Sequence, residues 1–95
     1  MAKKEVVKEK RKKIDFVYVD PDAASVSLTG SFNDWSLLKH PMKNNGGGIW
    51  KKTVMLPPGD YEYKFWVDGM WRQDPENQRC CENCFGGVNS IVCVR

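Results

Sequence analysis

From Ile14 onward the chain alternates between short apolar runs and clusters of turn-forming residues. The first run, residues 14–19 (IDFVYV), is rich in branched and aromatic side chains and stops at Asp20, Pro21 and Asp22. Residues 25–29 alternate strictly. Val26 and Leu28 point one way, and Ser25, Ser27 and Thr29 point the other. Residues 30–35 read as a turn-rich loop, and residues 44–48 (NNGGG) as a second break. A third strand spans residues 50–56 and ends at Pro57 and Pro58. A fourth spans 61–67, with Tyr61, Tyr63, Phe65 and Val67 on one apolar face and Glu62, Lys64 and Trp66 on the other. Asp68 and Gly69 then predict a tight hairpin, with residues 70–72 as its returning arm. Residues 74–87 read as a loop and 88–94 as the last strand. Short strands at this spacing, with no long amphipathic helix and no internal repeat, predict an all-β sandwich or barrel.

The length of 95 residues fits one domain. Residues 3–13 (KKEVVKEKRKK) lack an apolar face. The expected organisation is a basic flexible tail at 1–13 and a β-domain at 14–95. The tail reads as a solubilising arm, or alternatively as a docking segment for an acidic partner. The net charge of +3 is local. Residues 1–13 hold seven Lys or Arg against two Glu, which leaves eight against ten in the remainder. A basic domain face of the kind that reads nucleic acid is therefore not expected. No apolar run approaches the roughly 20 residues needed to cross a bilayer, so no membrane association is expected. The N-terminal lysines are not followed by an apolar stretch, so no secretory signal is read and the expected compartment is the cytoplasm.

Catalytic chemistry finds little support. The one histidine, His40, has no nucleophile near it in sequence and reads as a surface residue. Asp68, Asp74, Glu76 and Glu82 could supply a glycosidase pair, but they fall in turns and an open loop. A thin sandwich also offers no deep cleft to shift a carboxyl pKa. The chain is therefore read as no enzyme, with no cofactor. Cys80, Cys81, Cys84 and Cys93 are weak candidates for a zinc site. Only Cys81 and Cys84 have C-x-x-C spacing, and adjacent cysteines on extended backbone diverge. Free thiols are the leading reading, with structural zinc and a disulfide as alternatives.

The aromatics are more informative. Trp66 and Lys64 share a strand face expected to be solvent-exposed, Trp71 follows the hairpin turn, and Trp35 lies in the Asn33-Asp34 loop. Tryptophans in turns can plug the ends of a sandwich. They can also stack on the C–H face of a pyranose ring while Lys and Asn side chains bond to its hydroxyl rim.

Here the sequence resembles carbohydrate-binding module family 48, including the glycogen-binding domains of AMP-activated protein kinase beta subunits. Gly30-Ser31-Phe32-Asn33-Asp34-Trp35 is similar to the family's G-S-F-N-x-W signature. Residues 56–65 (LPPGDYEYKF) and Val67-Asp68-Gly69-Met70-Trp71 resemble its L-P-x-G-x-x-x-Y-K-F-x-V-D-G-x-W run. Asp74-Pro75 and the closing residues 88–91 (VNSI) follow in register. The resemblance implies an immunoglobulin-like β-sandwich that binds α-1,4-glucan such as glycogen, starch or maltooligosaccharides. It implies stacking by Trp35 and Trp71, hydrogen bonding by Lys64 and Asn89, and an apolar contact from Phe85. It also implies partnership with a glucan-active enzyme or a kinase subunit. Gly87 stands where the kinase domains have Thr, and residues 79–85 are cysteine-rich, which the family does not require. The alternative function is a protein-interaction or docking subunit on the same fold, with the basic tail as its handle.

Overall fold

In a computed structural model, the described residues are 10–77, 79–82 and 87–95. Eight strands run in the order β1 (Lys12–Val19), β2 (Val26–Gly30), β3 (Lys43–Asn44), β4 (Ile49–Leu56), β5 (Gly59–Val67), β6 (Met70–Arg72), β7 (Cys80–Glu82) and β8 (Val88–Val94). A single turn of 3₁₀ helix, Ser31–Asn33, follows β2. The strands form two antiparallel sheets. One has the order β1-β4-β3; the other has β2-β5-β8-β7, with β6 also paired to β5.

The two sheets meet through their alternating apolar faces, as the period-two pattern requires. Phe16 and Tyr18 of β1 and Trp50, Val54 and Leu56 of β4 form one wall of the core. Val26 and Leu28 of β2, Tyr63, Phe65 and Val67 of β5, and Val94 of β8 form the other. Aromatic pairs close the gap between them. Tyr18 lies 4.9 Å from Phe65, and Phe16 meets Tyr63 edge-on at 4.9 Å. The fold is an all-β sandwich, as expected from the sequence.

Some boundaries and one face differ from expectation. Strand β1 begins at Lys12, two residues before the apolar run, because Lys12 and Lys13 pair with Leu56 and Met55 of β4. Pairing length is set by the partner strand, which local hydrophobicity does not report. Residues 74–87 are not loop throughout, since β7 lies within them and pairs Cys80, Cys81 and Glu82 with Ser90, Asn89 and Val88. Three residues carry no readable period, so this edge strand is visible only through its partner. Thr29 was expected on a polar face but has 0% exposure. Burial along that face rises from Ser25 (exposed) through Ser27 (half-buried) to Thr29, toward the turn that follows β2.

The β5–β6 connection is the expected tight hairpin. Asp68 (φ 49°) and Gly69 (φ 82°) are both left-handed, the backbone that two-residue turns of this hand need. The Asp68 carboxylate accepts the backbone N–H groups of Ala24 and Ser25 at 3.0 and 2.8 Å, and this ties the hairpin tip to the β1–β2 connection.

Candidate functional site

The site lies on the outward face of the β2-β5-β8-β7 sheet. Strand register assembles it. Trp66 of β5 is paired with Ser27 of β2 on one side and Trp71 of β6 on the other. One step along β5, on the same face, Lys64 is paired with Thr29. Strand β8 pairs with β5 only as far as Tyr63↔Ser90, and β6 takes over that edge at Phe65↔Arg72. Lys64 therefore sits at the handover, next to Asn89, which directly precedes Ser90.

Trp35 reaches this face from the turn after β2, and nearly every residue of that turn has a structural task. A Cβ on Gly30 would lie 2.6 Å from both the Glu62 carbonyl oxygen and the Phe32 ring, so only glycine fits. Ser31 Oγ accepts the Glu62 N–H at 3.2 Å. Phe32 packs against Phe16, His40 and Tyr61 with ring centroids 5.7–6.1 Å apart. Asn33 is 3% exposed. Its Oδ1 accepts the Gly30 N–H at 3.0 Å, which fixes the amide orientation because a backbone N–H can only donate. Its Nδ2 then donates to the Leu28 carbonyl at 3.1 Å and to His40 Nδ1 at 2.8 Å. Neutral His40 must carry its own proton on Nε2. Burial, with smaller contributions from Lys52 and Lys39, holds the His40 pKa below its usual 6.5. His40 is thus a half-buried partner of the turn and not the surface residue expected.

Asp34 and Trp35 both have positive φ, 56° and 58°, and the Trp35 N–H closes the turn onto the Gly30 carbonyl at 2.9 Å. A bulky side chain in left-handed backbone costs on the order of 1 kcal/mol. The hydrogen bonds below it hold that conformation in place. The result is a row of three indoles. Trp35 and Trp71 lie 6.4 Å apart with planes at 77°, and Trp71 and Trp66 lie 4.8 Å apart at 66°. Trp71 remains 43% exposed.

The other expected site residues fall as follows. Lys64 is half-buried on the same face. Asn89 is 4% exposed, and its Nδ2 donates to Glu62 Oε1 at 2.9 Å. Phe85 lies outside the described residues, as does Cys84. Cys93 is a half-buried free thiol. No cluster of three or more metal-binding side chains occurs among the described residues. Trp66 was not among the expected site residues, although strand parity had already put it on this face.

Two of the carboxylates considered for hydrolysis are engaged in structural roles. Asp68 binds the backbone amides named above. Asp74 is buried. Its Oδ2 accepts the Tyr63 hydroxyl at 2.6 Å, while its N–H donates to Ser90 Oγ at 3.1 Å. Burial and the Asp74 contact push the Tyr63 pKa well above the usual phenol range. Asn77 donates to both the Tyr63 hydroxyl and the Ile91 carbonyl, which locks the chain after β6 against β8.

Comparison with known proteins places this geometry in context. The chain is 40% identical over 82 residues to Protein PTST homolog 2, chloroplastic, of Arabidopsis thaliana. It is 35% identical over 107 aligned positions to Protein FLOURY ENDOSPERM 6, chloroplastic, of Oryza sativa. It is also 39% identical over 70 residues to the human 5'-AMP-activated protein kinase subunit beta-1. These alignments cover 74%, 99% and 74% of this chain. They cover only 15%, 20% and 24% of the relatives, so the chain spans no more than a quarter of these three proteins. Two of these relatives are chloroplastic, and the cytoplasmic expectation does not stand. It rested on reading no export signal in a stretch corresponding to a small part of longer proteins, and compartment addresses are separate from the domain they deliver. A described family also matches, over residues 13–95. The chain belongs to the family described as the glycogen recognition site of AMP-activated protein kinase.

Proposed function

We propose that this domain binds α-1,4-linked glucan without catalysis, through stacking on Trp35 and Trp71. The observation that carries the reading is the pair of indoles at 6.4 Å and 77°, with Trp71 43% exposed. Two platforms nearly at right angles suit adjacent units of a chain that curves, which α-1,4 linkage produces and a straight β-1,4 chain does not. Lys64 supplies donors to sugar hydroxyls, and Phe85 an apolar contact. Asn89, with its amide held by Glu62, contributes at the border of the site. In this reading the binding domain begins with β1 at Lys12 and has an immunoglobulin-like arrangement of the two sheets. Glucan polymers are the partners, alongside a glucan-active enzyme or kinase subunit to which the domain brings them.

A second role, docking to protein, has one observation in its favour. The outward face of the β1-β4-β3 sheet exposes Val17, Val19, Ile49 and Met55. It lies on the opposite side of the sandwich from the tryptophans, so the two roles are compatible.

An open face buries one side of a sugar, so weak binding is expected. The Kd for maltoheptaose should be about 10 μM to 1 mM, or about −7 to −4 kcal/mol. Trp35→Ala and Trp71→Ala should each cost about 2 kcal/mol, and cellohexaose should bind poorly. Calorimetric titration of both oligosaccharides, with circular dichroism to verify folding, tests this. The reading fails if wild type ignores maltoheptaose, or if both folded variants bind as tightly as the parent.

A further inference from the structure

Trp71 is poorly supported by its own strand. β6 has three residues, all exposed, and among the described residues it pairs only with β5. What restrains the indole is its ring contacts. One is with Trp35, at 6.4 Å. The closer one, 4.8 Å and 66°, is with Trp66. Trp66 and Trp71 stand directly opposite each other on the second rung from a two-residue turn. That rung is a non-hydrogen-bonded pair, where side chains approach most closely. Trp66 itself is half-buried and belongs to the central strand of its sheet, so its position is set by the sandwich.

We propose that Trp66 is a positioning residue of the glucan site, holding the Trp71 ring in the orientation that receives a sugar. The inference rests on the glucan reading above and adds a residue to it. An indole fixed before binding loses less rotamer freedom on binding. A tilted edge-to-face pair is worth roughly a three- to tenfold change in affinity if it is needed to hold the platform.

The test uses Trp66→Leu, which keeps apolar bulk without a ring, and Trp66→Phe, which keeps a ring edge. Each is made alone and in the Trp71→Ala background. Trp66→Leu should weaken maltoheptaose binding roughly three- to tenfold, and Trp66→Phe should restore affinity to within about twofold of the parent. With Trp71 already removed, Trp66→Leu should cost nothing further, because its effect passes through that ring. Far-ultraviolet circular dichroism should show a Trp66–Trp71 exciton signal that is lost in Trp66→Leu and in Trp71→Ala alike. The inference is overturned if wild type binds and Trp66→Leu binds equally well. It is also overturned if the Trp66→Leu loss persists undiminished without Trp71, which would make Trp66 a direct sugar contact or a purely structural residue. A wild type that ignores maltoheptaose removes the glucan reading and this inference together.

Discussion

Replacing Asn33 with alanine separates two explanations for the asparagine of the Gly30–Trp35 motif. One is that it touches sugar; the other is that it holds the turn. Asn33 is 3% exposed and makes three hydrogen bonds, to Gly30 N–H, the Leu28 carbonyl and His40 Nδ1. Each contributes about 1 kcal/mol net. The Gly30 N–H and the His40 ring nitrogen would be left in buried or half-buried surroundings, where an unmet polar group costs about as much again. A loss of at least about 3 kcal/mol follows, a large share of the roughly 5–15 kcal/mol that holds a typical domain together. In a domain of this size, about 1 kcal/mol moves the melting temperature by roughly 4–8 °C, so a drop of roughly 12 °C or more is expected.

The assay is thermal and urea denaturation of Asn33→Ala beside Ser36→Ala. Ser36 lies one residue past Trp35, where its Oγ accepts the N–H groups of Leu38 and Lys39 in exposed positions. Its loss should cost well under 1 kcal/mol. Maltoheptaose affinity of folded Asn33→Ala should also fall, because Trp35 would no longer be held in left-handed backbone. The reasoning is refuted if Asn33→Ala melts within about 3 °C of the parent. Full stability combined with lost binding would make Asn33 a ligand contact.

Two further outcomes follow from the same region. His40 has its pKa held below 6.5 by burial and by Lys52 and Lys39, so the unfolded chain takes up a proton first as pH falls. Stability should therefore decline between pH 6.5 and the lowered folded pKa, and the extra slope should vanish in His40→Gln; melting temperatures across pH 7.5 to 4.5 that track each other in the two proteins would contradict this. Thr29 is fully buried and its hydroxyl has no partner among the described residues, so Thr29→Val, which keeps the shape, should raise stability by about 1 kcal/mol, and a lower melting temperature would show that the hydroxyl is satisfied.

Much of the fold is legible in the sequence because it depends on local rules. The alternation of Tyr61, Glu62, Tyr63, Lys64, Phe65, Trp66 and Val67 sorts core from outward face without any knowledge of neighbours, and the structure buries the alternate residues as that parity requires. Asp68 and Gly69 specify their hairpin through backbone chemistry alone. What escaped depends on residues distant in sequence. Strand β7 exists through pairing with β8 and has too few residues to show a period. The burial of Thr29 contradicts the alternation around it. His40 looked unengaged because its partner, seven residues earlier, is reached only after the turn has formed. The compartment failed for a different reason, since it rested on reading no export signal, whereas two relatives are chloroplastic.

The motif that reads as a sugar site is mostly scaffold. Of the six residues from Gly30 to Trp35, Gly30 is required by a close approach, Ser31 and Asn33 tie the turn to its surroundings, and Phe32 anchors it over the core. Asp34 supplies left-handed backbone. One residue of the six, Trp35, presents a surface of the kind a sugar stacks on. The second run divides the same way, with Asp68 fastening the hairpin tip and Trp71 presenting an exposed ring. Spacing within such a motif is strict because a turn tolerates few backbones, while the chemistry it delivers rests on a single ring at the end. This is why several ordered motifs in one register identified the fold so firmly, and why Trp66, whose only local signal was its parity, was easy to pass over. Its contact with Trp71 is written in the pairing of two strands across a turn, a relation that alternation along one strand does not contain.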